Sequence, residues 1–476
     1  MKNNKTKSRR SFLKQCAALN VLGYTSGLSA LGSLSLTSQM AYAQTSRPSG
    51  YKAIVCIYQT GGNDLNMLVP TDDDSFSQYQ EVRQSLALDR DEFVPISSNG
   101  KSFGLHPSCA IENENFPAAS GGLKKLYDQG NLAFIANTGA LLEPTTVDQF
   151  LNQTVEVPPS IGNHLIQKDF VRAGSFVNGQ LTTGWAGRIA DLYGVNTGDV
   201  PINGTVLGDN IWQRGENSST YSFTGSGVRQ LYGYREAEKA GAAEGARRSA
   251  LYRVNNLSRN HEHLFVREYG RILSNSLSLS DALREGANSN PSLQTQFPSG
   301  TVSQRLKSIA ELINNRAPLG MDQQIFYVDS PGWDMHSDLF FRHGPNLEDF
   351  SAGVAAFYEA LKEMGLENDV ITFTNGDFGR TLDPNSTGSD HAWGGNQMII
   401  GGRVDGGQVF GDYPMFVNGD GETQYRDFRG VLVPSIATDQ VSSTIAKWFG
   451  GFSDATLNDI FPSVRNFDTN DLGLIV

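Results

Sequence analysis

Five short apolar runs punctuate the chain, at residues 53–58, 132–136, 324–328, 370–374 and 397–400. None of them alternates strictly between apolar and polar positions, which is the pattern of strands covered on both faces. Between the runs, apolar residues recur in steps of three and four. Leu347, Phe350, Val354, Phe357, Leu361 and Met364 form the longest such stripe, and Gly365 sits at its stop. Shorter helical patterns cover residues 122–127, leading directly into the second strand, and residues 442–449 near the C-terminus. Strands alternating with helices predict an α/β fold: a doubly wound, mostly parallel sheet with helices on both faces.

Two regions depart from this rhythm. Residues 138–225 are rich in Gly, Thr, Asn and Ser and read as long loops, while residues 226–318 hold charged helical segments at 228–256 and 261–276. Together they predict a loop-rich and helical insertion at about 138–318, lying over the sheet edge within a domain spanning 44–476. Residues 401–430, again rich in Gly, read as loops and hairpins.

The first 43 residues stand outside this pattern. Ser8-Arg9-Arg10-Ser11-Phe12-Leu13-Lys14 has the form of a twin-arginine export signal, followed by a weakly apolar stretch and the small-x-small cleavage site Ala41-Tyr42-Ala43. The apolar stretch is too rich in Gly, Ser and Thr to make a good permanent anchor. The expectation is a cleaved signal peptide, the twin-arginine translocase as a partner during export, and a periplasmic or secreted protein with no stable membrane anchor. That route carries folded cargo, often already loaded with a metal or cofactor.

Charge narrows the partners further. The whole chain has a formal charge of −12, and without residues 1–43, which hold six Lys/Arg and no Asp/Glu, it falls to −18. Such a balance speaks against nucleic acid and anionic membranes and is compatible with multivalent cations. Of three cysteines, Cys16 leaves with the signal; Cys56 reads as a buried thiol, and a Cys56–Cys109 pairing stays open. Two cysteines cannot build a cysteine-based metal site.

The chemistry gathers where strands end, the edge at which open α/β sheets bind ligands. Gln59-Thr60-Gly61-Gly62-Asn63-Asp64 follows the first strand, and Asp329-Ser330-Pro331-Gly332-Trp333-Asp334-Met335-His336 follows the third. Asn375-Gly376-Asp377-Phe378-Gly379-Arg380-Thr381 follows the fourth, and Asp390-His391 precede the fifth. Asp377-Phe378-Gly379 is the tripeptide with which protein kinases hold magnesium. Here it lacks the His-Arg-Asp loop, the Gly-rich loop and the Val-Ala-Ile-Lys strand, so a kinase is excluded.

A metal site explains the spacing better. Asp334 and His336, two apart in an extended segment, point the same way and can share an ion. Mixed Asp and His ligands favour Zn²⁺ or Mn²⁺, with Fe²⁺ also suited and Mg²⁺ or Ca²⁺ less so. Enough acids are present for one ion or for two at roughly 3.5–4 Å. Arg380 would then contact a phosphate or sulfate anion. Any one of these acids alone would be read as a turn former or helix cap; the group is what favours a metal. His106 reads either as an additional ligand or as a loop-fixing histidine, and His164 lies in the loop-rich region within reach of the site. His261, His263 and His343 read as surface residues, and Trp185 as packing, with a sugar-binding cleft as its alternative.

Taken in order, Gly-Gly-Asn-Asp (61–64), Leu-His-Pro (105–107), Gly-Trp-Asp-x-His (332–336), Asp-Phe-Gly-Arg-Thr (377–381), Asp-His ahead of Gly-Gly (390–395) and the C-terminal segments at 438–440 and 446–450 resemble a family. It is the exported bacterial family named domain of unknown function 1501, a branch of the alkaline phosphatase/sulfatase-like superfamily. The resemblance implies an alkaline-phosphatase-like α/β/α core with Asp64, Asp334, His336, Asp377, Asp390 and His391 at metal-site positions, and ester hydrolysis as the chemistry. Two departures stand out. Asp377 occupies a place where relatives commonly have Glu, and Trp393 one where many have His, which leaves an imidazole to be supplied by His106 or His164. No Ser, Thr or Cys sits in a recognisable nucleophile motif.

The sequence therefore predicts an exported metal-dependent hydrolase of phosphate or sulfate esters, acting on a small-molecule or polysaccharide ester, with Arg380 and Asp377 at the reacting centre. The alternative is a non-catalytic, metal-dependent binding protein on the same fold, associated with polysaccharide. A redox protein is prompted by the export route alone.

Overall fold

The computed structural model describes residues 50–174, 181–194, 200–206, 208–223, 242–286, 290–414, 416, 424–425 and 430–476. These belong to one unit, Pro48–Val476. The export signal at 1–43 lies outside the described residues.

In chain order the strands begin with β1 (Lys52–Gln59), β2 (Leu68–Pro70), β3 (Val94–Ser98), β4 (Lys101–Leu105), β5 (Leu132–Gly139), β6 (Asn203–Thr205) and β7 (Thr220–Ser222). They continue with β8 (Gln323–Ser330), β9 (Val370–Gly376), β10 (Gly395–Ile400), β11 (Gln408–Phe410), β12 (Gln424–Tyr425), β13 (Val431–Leu432) and β14 (Ile436–Ala437). The helices are α1 (Asp73–Arg83), α2 (Gly122–Asp128), α3 (Val147–Asn152), α4 (His164–Ala173), α5 (Trp185–Tyr193) and α6 (Ala242–Arg259). After them come α7 (Leu264–Gly286), α8 (Thr301–Asn314), α9 (Leu339–Glu363), α10 (Thr438–Gly450) and α11 (Asp454–Ile460).

The central sheet has the order β11-β5-β10-β9-β1-β8-β6-β7, with β14 also on β5. All its pairings are parallel except those of β10 with β5 and β9. The predicted α/β class and all five predicted strands are present. The sheet is covered on both faces, and β1 shows how. Ala53, Val55 and Ile57 join one core with Phe326, Phe350, Phe357 and Leu306, from β8, α9 and α8. Ile54, Cys56 and Tyr58 join a second core with Phe170, Ile189, Phe449 and Leu457, from α4, α5, α10 and α11. A strand buried on both sides has no polar face to alternate with, hence the continuous apolar run.

Register brings the functional loops together. Gln59 of β1 stands opposite Ser330 of β8 and Gly376 of β9, so these neighbouring parallel strands end in step. β10 runs antiparallel to β9, which places its beginning, and Asp390-His391 just before it, at the same edge.

Two parts differ from expectation. Residues 138–225 are more regular than their composition suggests: they hold α3, α4 and α5, and β6 and β7 extend the central sheet beyond β8. Those elements are too short for a periodic pattern to emerge from Gly- and Thr-rich surroundings. The helical segments of the following region appear as α6 and α7, with 228–241 outside the described residues. His343 is not on the surface. It is 1% exposed in α9, packed against His106 and Trp333 with ring centroids 5.3 and 6.0 Å away. Trp185 is fully buried, as packing requires, and Cys56 and Cys109 are free, buried thiols.

Candidate metal centre

Glycines let the loops at this edge approach one another. Gly61 has φ +105° and Gly62 φ +80°; a Cβ on Gly61 would lie 2.4 Å from the Asp334 backbone nitrogen, and one on Gly62 2.1 Å from the Phe378 carbonyl oxygen. No other residue type tolerates both the positive φ and the contact. The loop after β9 is zipped to the segment before β10. Gly379 N–H donates to the Trp393 carbonyl, Ala392 N–H to Gly379, and Thr381 N–H to Asp390, at 3.0, 2.9 and 3.0 Å. Arg380 and His391 face each other across this ladder.

Asp334 lies at the centre. Its Oδ1 is 3.0 Å from His336 Nε2 and 3.1 Å from His391 Nε2, and its Oδ2 is 3.3 Å from His164 Nε2. Arg380 Nη1 donates to Oδ1 at 2.8 Å. Burial alone would raise this carboxyl; the Arg380 hydrogen bond and charge, with His391 and His164, override it and hold Asp334 down to about 2.

Each imidazole is tied from behind through Nδ1. That of His164 reaches Asp377 Oδ2 at 2.7 Å, that of His336 reaches Asp390 Oδ1 at 2.9 Å, and that of His391 reaches the Gly162 carbonyl at 2.8 Å. All three partners are acceptors, so each Nδ1 carries a proton, and in a neutral ring Nε2 is then left with a lone pair. Facing those nitrogens are the Asp334 carboxylate and, for His336 and His391, each other. His164 Nε2 is buried without a hydrogen-bond partner, and the Nε2 atoms of His336 and His391 stand 2.9 Å apart. Lone pairs and a carboxylate brought together in this way repel unless a cation sits among them. A divalent ion therefore fits the donor set, with His164, Asp334 and His391 grouped within 4.8 Å and His336 on the solvent side. The side chains of Asp334 and His336 are 43% and 44% exposed, so the centre opens to solvent.

The tripeptide that suggested a kinase holds this arrangement. Asp377, 1% exposed, takes hydrogen bonds from His164, from the Gly61 N–H at 3.1 Å and from the Tyr58 hydroxyl at 2.6 Å. Burial first, and then the Asp377 charge, raises the Tyr58 phenol well above its ordinary value, so it stays a donor. The Phe378 ring packs 4.7 Å from His164 and 4.6 Å from His391.

Four of the expected roles change. Asp377 and Asp390 meet His164 and His336 at Nδ1, a position commonly taken by carboxylates behind metal-binding imidazoles. Asp64 is 4% exposed and engaged elsewhere: Oδ1 accepts from Arg83 Nη2 at 2.6 Å and Asn66 N–H at 3.0 Å, and Oδ2 from Ser389 at 2.9 Å. Burial would raise Asp64, but the Arg83 and His343 charges and these hydrogen bonds bring it below its ordinary value. Arg380 is 3% exposed and is not turned outward to an anion. Its donors go to Asp334, to the Gly61 carbonyl at 3.2 Å, and to the Ser389 hydroxyl and carbonyl.

Of the two additional imidazoles expected near the site, His164 groups with Asp334 and His391. His106 does not join the centre: it caps a turn, accepting from Ser108 N–H at 3.1 Å, and packs on His343. Trp393 is 1% exposed and donates to the Ala140 carbonyl at 2.7 Å. Sequence reasoning missed Tyr58, Arg83, Phe378 and the Gly162 carbonyl. Each lies in an element that reads as ordinary strand, helix or loop, and none has a local signal.

Comparison with known proteins bears out the family resemblance. The sequence model of the family described as protein of unknown function (DUF1501) matches residues 281–444, the stretch holding Asp334, His336, Asp377, Arg380, Asp390 and His391. Among solved structures the chain is similar to one titled Ps i-CgsB, with TM-score 0.35 and 9% identity over 88% of this chain and 77% of that one. It is similar also to the PsFucS1 sulfatase from Pseudoalteromonas sp., with TM-score 0.34 and 11% identity over 92% and 76%. A third is the lipoteichoic acid synthase LtaP from Listeria monocytogenes, with TM-score 0.30 and 7% identity over 87% and 78%. No curated protein matches the sequence. At these scores the fold class stands on the sheet order itself.

Proposed function

We propose that this protein is an exported, metal-dependent hydrolase of phosphate or sulfate esters, with a single Zn²⁺ or Mn²⁺ held by His164, Asp334, His336 and His391. One observation carries the reading: the convergence of His Nε2 lone pairs and a carboxylate, with each Nδ1 anchored from behind. A bound divalent ion supplies Lewis acidity toward an ester oxygen and makes water a better nucleophile near neutral pH.

The chain's own residues prepare the site. Asp377 and Asp390 fix the tautomers of His164 and His336, and Tyr58 fixes Asp377. Arg380 keeps Asp334 ionised. Phe378 excludes water from behind the rings of His164 and His391. Water is the attacking group under this reading. Cys56 and Cys109 lie in the core, Thr138 is 4% exposed, and the Thr60 hydroxyl is committed to Asp329 Oδ1 at 2.5 Å. The ester class rests on the family resemblance, and export on the sequence of residues 1–43. Among the described residues no helix is long and apolar enough to cross a membrane.

The test is elemental analysis of the purified protein and of His336→Ala, beside a screen on p-nitrophenyl phosphate and p-nitrophenyl sulfate. About one transition-metal ion per chain is expected, lost in the variant together with ester turnover. Metal without turnover on either ester would favour the metal-dependent binding protein. No metal, even after reconstitution with Zn²⁺ and Mn²⁺, would overturn the site.

A further inference from the structure

The helices α6 and α7 form a hairpin with apolar side chains exposed at its tip. Between them the contacts are polar: Asn255, 1% exposed, donates to Ser274 at 2.7 Å, and Arg248 pairs with Asp281 at 2.8 Å. At Gly270 the helices come so close that a Cβ would lie 2.7 Å from the Arg259 backbone nitrogen. Several large apolar side chains, by contrast, face solvent. Val254 and Leu257, near the end of α6, are 60% and 74% exposed; Leu264, Phe265 and Tyr269, at the start of α7, are 61%, 78% and 65% exposed. All five lie at the same end of the hairpin, because the connecting turn is only residues 260–263. Scattered exposed apolar residues need no explanation; a group at one tip does.

Charge identifies what the tip meets. From Arg247 to Arg271 the sequence holds six Arg, two Glu and no Asp or Lys, in a chain whose formal charge is −12. Arg253, Arg259 and Arg267 are exposed near the apolar residues, with His261, Glu262 and His263 in the turn. A second copy docking tip to tip would bring like charges together. Apolar and aromatic side chains ringed by arginines fit an anionic bilayer, where the rings enter the interface and the guanidiniums meet headgroup phosphates.

We propose that the tip of the α6–α7 hairpin docks reversibly on an anionic lipid surface, presenting the protein to the membrane without anchoring it. The acidic remainder would be repelled by the same surface, which favours contact through this tip alone. The inference does not depend on the metal reading.

Co-sedimentation of the full chain with vesicles tests it, using phosphatidylcholine and phosphatidylglycerol in equal parts against phosphatidylcholine alone. Binding is expected on the anionic vesicles only, weakening as salt is raised. In the Leu257→Ser/Phe265→Ser double variant, partitioning should fall about tenfold or more, since two large side chains no longer enter the interface. Because the variant retains residues 1–43, its difference from wild type isolates the hairpin, and an unchanged circular dichroism spectrum confirms folding. Equal binding by variant and wild type, or none by wild type, would overturn the proposal. So would a wild-type dimer in sedimentation velocity that the variant abolishes without vesicle binding, which would assign the tip to a second copy.

Discussion

At the metal centre polar side chains are packed inward, each imidazole braced by a partner, while in the α6–α7 hairpin polar groups pair between the helices and apolar ones face water. The two regions show how one chain spends burial differently. The centre removes Asp377, Asp64 and Arg380 from solvent because each is compensated by several hydrogen bonds or an opposite charge. The hairpin leaves Leu257 and Phe265 in water, where they contribute little to folding and remain available to a partner. What is over-determined at the centre fixes geometry; what is unsatisfied at the tip invites contact.

The largest expected break in this contrast is at the pair behind the centre. Arg83 and Asp64 are 0% and 3% exposed at 2.6 Å, so Arg83→Met strands a buried carboxylate and should lower stability by about 3–5 kcal/mol in urea melts. Arg83→Met/Asp64→Leu should recover most of that loss and still bind metal. Loss of metal in the stable double variant would return Asp64 to the ligand set.

Next comes the brace itself. Asp377→Ala frees His164 Nδ1 and should weaken metal binding by roughly 10–100-fold in chelator competition, as removal of such partners commonly does. Complete loss, equal to that of His164→Ala, would make Asp377 a ligand and not a support.

A pH effect follows from His343. Burial, above all, lowers it from 6.5 to about 3, opposed by Asp64 and reinforced by His106 and Arg83. Its folded value lies below its unfolded one, so it contributes stability that is present above 6.5 and lost as pH falls toward about 3. The slope is at most about 1.4 kcal/mol per pH unit. In metal-free protein, His343→Gln should show a shallower acid loss than wild type; identical slopes would remove His343 as the cause. The smallest effect belongs to the other region: Leu257→Ser and Phe265→Ser should each leave stability within about 0.5 kcal/mol.

Much of the frame was legible in the chain. The unalternating apolar runs announced a doubly covered sheet, and the three- and four-residue steps announced α9, α2 and α10. Asp334 and His336 could be paired because an extended backbone puts positions two apart on one side. Asp377, Asp390 and Asp64 could be placed at the right edge, yet their roles could not be read, because a carboxylate that binds a metal and one that braces an imidazole have the same local sequence. His343 looked exposed because its burial depends on packing against His106, remote in the chain, and against Trp333 of the preceding loop.

Sequence by itself determined five strands of the central sheet, their order of appearance and the residue types at their ends, since these follow from local periodicity and backbone geometry. Tertiary structure decided which acids face the His lone pairs and which stand behind them. It decided that His164 joins Asp334 and His391, and that Arg380 holds Asp334 instead of facing outward. Those choices depend on parallel register and on ångström-scale approach between segments hundreds of residues apart, made by the Gly61-Gly62 turn, and no local pattern encodes such distances.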